Sequence, residues 1–227
     1  LEVVLRHFAL RAFAPIVVAS VAGTVVSRVH MGDVTEFRLP EHSIGFYQEL
    51  PAFLLLGAIS GLAAVAMMRA IFLAERTGDR VQRVLRMPGW MRPGVAGLLL
   101  GLIALEFPHI IGVGYETTSR ALTVDVGFGE AVVFAVVKVV AVAITFAGRM
   151  GGGVFSPALM LGALTGLAFG HVATGLLPWV AGDAALYAIA GTGAVAAAVL
   201  GAPISTTLII FELTGDWQAG IAVMASV

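Results

Sequence analysis

Cysteine is absent from the 227 residues. Disulfides and thiolate metal sites are therefore excluded, and the redox compartment is left undetermined. Lysine occurs once, at Lys138. Charged residues of every kind make up 12% of the chain, about half the roughly 25% of a soluble domain. The net charge is −1 and no basic stripe is present, so nucleic acid is not an expected partner. Catalytic signatures are missing too. There is no H-E-x-x-H and no nucleophile–base pair, and the Gly-rich stretch at 151–153 lacks the Gly-Lys-Ser/Thr ending of a phosphate-binding loop. His109 and His171 stand apart from any carboxylate cluster, so no metal is expected. A membrane-embedded enzyme is the less favoured class, and no cofactor is called for.

What is abundant sets the class. The chain is 59% hydrophobic, with a mean hydropathy of +0.99. Every main-chain polar group in lipid needs an internal partner, so the expected fold is an all-α integral membrane protein. The 28 glycines suit close helix packing in a bilayer. The chain opens on Leu1 within a mixed apolar and charged pattern and closes on Val227 within an apolar run, as expected of a piece of a longer membrane domain.

Two polar stretches fix the expected orientation. Arg28 to Glu49 holds two arginines against Asp33, Glu36, Glu41 and Glu49, a net 2 − 4 = −2. Arg69 to Arg92 holds six arginines against Glu75 and Asp79, a net 6 − 2 = +4. The positive-inside rule places the second stretch in the cytoplasm and the first outside, with one crossing over Leu50 to Met68. The spacing of Glu75, Arg76, Arg80 and Arg83 predicts that this helix continues out of the bilayer. Ala12 to Ser27 reads as one short span. The runs Gly94–Leu105, Ala184–Leu200 and Ile204–Phe211 are shorter than the ~20 residues of a straight crossing. Gly and Pro interrupt them, not water-facing loops. Short, broken helices are the sequence pointer to a binding site at mid-membrane depth. Gly162, Gly166 and Gly170 recur every four residues, a ridge on which another helix can pack.

The stretch Gly151-Gly152-Gly153-Val154-Phe155-Ser156-Pro157 lies at the start of an uncharged window, Met150 to Gly182. Three glycines weaken any helix, so they serve a positive φ or a close approach. Ser156 as N-cap and Pro157 as first helical residue predict a helix start at Pro157. A helix start at membrane depth presents free N–H groups and about half a positive charge. Two readings stand at this point: an anion site built from main-chain donors, or a kinked helix packed closely on a neighbour. Lys138, in an apolar helix, either raises the potential near an anion path or pairs with an acidic residue. Arg149 either attracts anions or snorkels. Glu212 reads as a helix-end residue, and Asp216 as the N-cap of the last run.

Gly153-Val154-Phe155-Ser156-Pro157 resembles the G-x-F-x-P anion motif of the chloride channel and chloride/proton antiporter (CLC) family. Gly201-Ala202-Pro203 with Phe211-Glu212-Leu213-Thr214-Gly215-Asp216 resembles that family's A-P…E-[LM]-T segment. Gly112-Val113-Gly114-Tyr115-Glu116 is similar to its bacterial G-x-G-Y-E turn. The three occur in the family's order over nearly the whole chain. The resemblance implies broken, tilted helices of the inverted-repeat fold over residues 1–227, with 1–30 closing the first repeat and 50–227 forming the second without its last helix. It implies a multi-pass protein of the lipid bilayer, in a bacterial inner or cell membrane. It implies a homodimer joined through helices near Phe8–Ser27 and Ile204–Val227. Chloride is the implied partner. The N–H groups of Val154 and Phe155 would hold the anion, the Phe155 ring would wall the pore, and Gly153, Ser156 and Pro157 would shape the turn. The first-half serine motif, the gating glutamate and the last helix's tyrosine are not in this sequence. In the antiporters an inward-side glutamate relays protons. Aligned through Glu2 and Phe8, that place is Val3, which cannot titrate. The expected activity is therefore passive, of the voltage-gated chloride channel type. A chloride/proton antiporter using Glu2 is the alternative, and a non-transporting structural subunit a distant one.

Overall fold

The computed structural model describes residues 10–32, 46–112, 114–176, 183–215 and 217–227. Within them run α1 (Leu10–Met31), α2 (Phe46–Val84), α3 (Met91–Glu106), a 3₁₀ turn (Pro108–Ile110), α4 (Tyr115–Leu122) and α5 (Phe128–Ala147). Then come α6 (Phe155–Leu176), α7 (Ala184–Leu200), α8 (Pro203–Thr214) and α9 (Trp217–Ser226). Helices α1, α2, α5 and α6 are long and apolar enough to cross a membrane, while α7 and α8 are apolar but shorter. The expected mixture of full and short helices is observed. Val3, Glu2, Phe8, Asp216 and the loop around Glu41 lie outside the described residues.

Helix boundaries depart from the sequence reading at the end of α1 and the start of α6, while α2 runs on past its apolar span as expected. Helix α1 runs past Ser27 to Met31, so Arg28 and His30, expected in a loop, sit in its last turn, where cations complement the helix dipole. Gly32 then takes φ 82°, and its N–H donates back to the Arg28 carbonyl at 2.9 Å. Helix α2 is continuous for 39 residues, or about 58 Å at 1.5 Å per residue. The hydrocarbon layer is about 30 Å thick, so the arginine-bearing end of α2 extends beyond it. Helix α6 starts at Phe155, two residues before the expected Pro157.

The topology has a direct test. In a cysteine-free background, Arg80→Cys and Glu41→Cys report the two sides of the membrane. A membrane-impermeant thiol reagent applied to intact cells is expected to label the cysteine at 41 and spare the one at 80. Labelling confined to position 80 would reverse the orientation.

Packing is tightest where glycine replaces side chains. The ridge Gly162, Gly166 and Gly170 on α6 faces α7. A Cβ on Gly162 would stand 2.6 Å from the Thr192 Cα, on Gly166 2.8 Å from the Tyr187 carbonyl carbon, and on Gly170 3.0 Å from the Ala184 Cα. The partners descend as the ridge ascends, so the two helices run antiparallel. Gly191 of α7 answers with its own missing side chain, 2.8 Å from the Gly166 Cα if a Cβ were added. Backbones approach this closely only where both faces lack bulk. Helix α7 is held on its other sides by α9, where Gly193 meets Val223 and the Ser226 hydroxyl donates to the Ala190 carbonyl at 3.1 Å. Asp183 caps α7, its carboxylate accepting the Ala185 N–H at 3.2 Å. Residues Ala184 to Ala197 are all buried. Helix α1 is the opposite case, exposed along Ala14–Met31.

Three helices end on a left-handed residue that is not glycine: Arg86 (φ 48°), Val124 (φ 59°) and Arg149 (φ 53°). In each, the next N–H reaches five residues back, Met87 to Gln82, Asp125 to Arg120 and Met150 to Thr145. These pairings satisfy the last carbonyls of α2, α4 and α5.

Candidate functional site

The Gly-rich turn connects α5 to α6. Gly151, Gly152 and Gly153 are exposed, and a Cβ on any of them would meet no protein atom within 4 Å. None of the three has a positive φ; the left-handed residue is Arg149, two positions earlier. Their smallness thus accommodates neither a strained turn nor a neighbouring helix. It leaves the approach to the helix start open.

The first bond of α6 runs from the Ala158 N–H to the Val154 carbonyl at 3.1 Å. Val154 is therefore the cap residue, and Ser156, expected there, lies inside the first turn. Pro157 comes third in the helix, where it has no N–H to lose. The N–H groups of Val154, Phe155 and Ser156 have no acceptor among the described residues. Ser156 is a third free donor that the sequence reading did not count, because it was assigned to the cap.

A cavity of about 560 Å³ opens beside this start. Gly152, Gly153, Ser156 and Pro157 line it from the turn, Lys138 and Phe146 from α5, and Leu100 from α3. The aromatic ring on this cavity is Phe146. The Phe155 ring and the Val154 side chain pack against the main core cluster. The structure thus gathers Gly153, Ser156, Pro157 and Lys138 around one space, and places the side chains of Val154 and Phe155 behind it.

Lys138 is 4% exposed. Its ammonium donates to the carbonyls of Ile110 at 3.1 Å and Gly112 at 3.3 Å. Those carbonyls belong to the turn before α4, which Gly112 (φ 72°) and Gly114 (φ 86°) bend through left-handed conformations. A side chain on Gly114 would collide with Met160, whose sulfur would lie 2.6 Å away. The sequence reading offered Lys138 an acidic partner for packing. No ion pair to it is found among the described residues, so its charge is solvated by carbonyls and not cancelled. A buried cation left uncompensated raises the potential of the space it faces.

Arg149 does not point freely at the turn. Its guanidinium pairs with Asp79 of α2 at 3.1 Å. The same carboxylate oxygen accepts Arg92 of α3, and Arg92 also bonds the Ala147 carbonyl and, at 3.0 Å, Gln82. Arg92 is 5% exposed. A Cβ on Gly78 would stand 2.7 Å from its guanidinium nitrogen. This node fastens the ends of α2 and α5 to the start of α3. Sequence spacing did not reveal it, since Asp79 and Arg149 are 70 positions apart. Glu212, near the end of α8, pairs with Arg28 of α1 at 3.3 Å, both side chains being exposed.

Broken apolar helices, several of them long enough to cross a membrane, define an integral membrane protein, with a glycine-rich helix start and a buried cation on one cavity. The voltage gated chloride channel family model matches residues 1–227, and the chain belongs to that CLC family. It is similar to chloride channel protein CLC-f of Arabidopsis thaliana, 30% identical over 225 residues, covering 94% of this chain and 29% of that one. It is likewise similar to the H(+)/Cl(−) exchange transporter ClcA of Vibrio parahaemolyticus, 29% identical over 211 residues, covering 93% of this chain and 45% of that one. The fold matches a slow cyanobacterial Cl−/H+ antiporter with a TM-score of 0.76 at 22% identity, over 91% of this chain and 48% of that structure. The chain thus spans half or less of the length of these relatives.

Proposed function

We propose that the complete protein transports anions, chloride above all, and that the start of α6 is its central anion site. The observation that carries this reading is the shared cavity: Gly153 and Ser156 at the start of α6, where three N–H groups find no acceptor among the described residues, line it together with buried Lys138, which has no ion pair among those residues. Each element alone has a structural explanation. Together they present fixed positive potential at a depth where water is scarce and a cation would be repelled. The roles follow from position. Main-chain donors at Val154 and Phe155, joined by Ser156, bind the ion. Gly153 lets it approach, Pro157 stiffens the first turn, and Lys138 sets the background field. Exposed α1, with Ile204, Leu208 and Phe211 of α8, offers the apolar surface that a second copy would cover in a homodimer.

The transport is proposed to be passive. Coupling needs a group that titrates, and Val3, Val4 and Leu5 do not. The alternative, exchange of chloride for protons through Glu2, is favoured by the similarity to a protein named as such an exchanger. Reconstitution separates them. The complete protein in liposomes with a chloride gradient and no pH gradient is expected to release chloride while the proton signal stays at baseline. Uphill proton movement in fixed ratio to chloride would falsify passive transport. With protons at baseline, Val3→Glu is the informative variant, because gained proton flux would assign position 3 to the relay.

A further inference from the structure

The Arg92–Asp79–Arg149 node lies outside the anion cavity and serves none of the roles given above. Its two cations are unequal. Arg92 is buried and engaged by the Asp79 carboxylate, Gln82, and the carbonyls of Ala147 and Glu75. Its work is structural, since it bridges three chain segments. Arg149 is 69% exposed and bonds Asp79 at 3.1 Å. An exposed pair of this kind adds little to stability, yet it neutralises a charge two residues from Gly151. The left-handed conformation of Arg149 (φ 53°), locked by the Met150 N–H to the Thr145 carbonyl at 3.2 Å, fixes where that charge can go. One carboxylate oxygen therefore holds two guanidinium groups, and the node carries a net charge of about +1. Without Asp79 it would carry about +2, at the edge of an exposed turn of three glycines.

We propose that Asp79 is a positioning residue that sets the electrostatic potential at the arginine-rich mouth of the anion site, by pairing with Arg149 beside the glycine turn. This rests on the anion-transport reading, but the field itself is measurable without transport. The exposed charges nearest in sequence, Arg76, Arg80, Arg83 and Arg86 on or just after α2, add a constant positive background that the pair modulates.

The experiment places a reporter at Gly151, where an added Cβ meets nothing within 4 Å. Gly151→Cys is made in the complete protein, with any cysteine outside these 227 residues replaced. It is reacted with a sulfonate-bearing and with a trimethylammonium-bearing methanethiosulfonate reagent. The ratio of the two rates reports local potential. Asp79→Asn keeps an acceptor for Arg92 and is expected to raise the anionic-to-cationic ratio about threefold at low salt. The effect should shrink at high salt, because the screening length for exposed charges falls from roughly 30 Å at 0.01 M to roughly 3 Å at 1 M. Arg149→Gln should lower the ratio, and the double variant should return near the parent value. Chloride efflux at low outside salt should follow the same order. A ratio unchanged by Asp79→Asn, or changed equally at low and high salt, overturns the proposal. If Asp79→Asn fails to fold, Arg149→Gln decides alone, and an unmoved ratio there is also negative. A parent protein with no chloride flux would defeat the transport reading, while the reagent ratios would still judge the field.

Discussion

Phe155→Pro is expected to weaken anion binding about 10- to 100-fold without unfolding the helix. Phe155 is the first residue of α6, and proline is welcome at that position because its fixed φ suits the helix. The change deletes one N–H, and a hydrogen bond to a charged group contributes about 1.5–3 kcal/mol. Val154 precedes the helix, so the new proline does not follow a helical residue, the arrangement it disfavours. The Phe155 ring packs on the core, and losing it would also matter. Phe155→Leu is therefore the control, because it removes the ring and keeps the donor. Calorimetric titration of the complete protein with chloride should give near-parent affinity for the leucine variant and a large loss for the proline variant. Equal losses in both would show that the ring, and not the main-chain donor, supports the site.

The second large effect concerns the glycine ridge. Gly166→Leu is expected to abolish a monodisperse folded protein in detergent, and Gly166→Ala to lower its melting temperature clearly. A Cβ at 166 would sit 2.8–2.9 Å from the Tyr187 carbonyl carbon and the Ala188 Cα. These are backbone atoms that cannot swing aside. Overpacking a core typically costs 1–3 kcal/mol, or about the upper end of that where backbone must move. Gly61→Ala is the matched comparison. It adds the same methyl to α2, where nothing lies within 4 Å, and should be neutral or slightly stabilising by helix propensity. Size-exclusion profiles and thermal melts of the three variants test the contrast. Indistinguishable melts for Gly61→Ala and Gly166→Ala would remove the ridge from the folding argument.

Much of the architecture was legible because lipid leaves the chain few options. The absence of charge from Met150 to Gly182 marked an intramembrane segment, and four-residue glycine spacing marked a close helix pair, since both signals are local. The end of α2 was also readable, because Arg76, Arg80 and Arg83 keep helical spacing after the apolar run. Three things were not. Arg86, Val124 and Arg149 terminate helices in a conformation for which glycine is the usual marker, so their sequence carries no sign of it. The start of α6 lies at Phe155, because Pro157 fits the third position of a helix as well as the first. The charge partners were hidden by distance along the chain. Lys138 finds carbonyls 26 and 28 residues away, and Arg149 finds Asp79 only after α3 and α5 have folded back on α2. For the site itself, the sequence pointed to the glycine turn, the donors at Val154 and Phe155 and the cation at Lys138, and the structure added the Ser156 donor and the cavity that Lys138 shares with the turn.

Helix α7 adds one more consequence. Its first fourteen residues, Ala184 to Ala197, are buried on every side by protein, yet its composition is that of a segment bathed in fatty acyl chains. It is therefore a stretch with no free face on which sequence can drift. An exposed apolar face such as that of Leu98, Leu102 and Leu105 on α3 can exchange one apolar residue for another, whereas each position of α7 is constrained by a neighbour of fixed shape. Saturation mutagenesis read out by folded yield should show a nearly uniform intolerance along α7, broken only after Ala197. At Leu98, Leu102 and Leu105 of α3, substitutions among Leu, Ile, Val and Phe should pass unnoticed. The least variable segment of the protein would then be one that touches neither the ion nor the membrane.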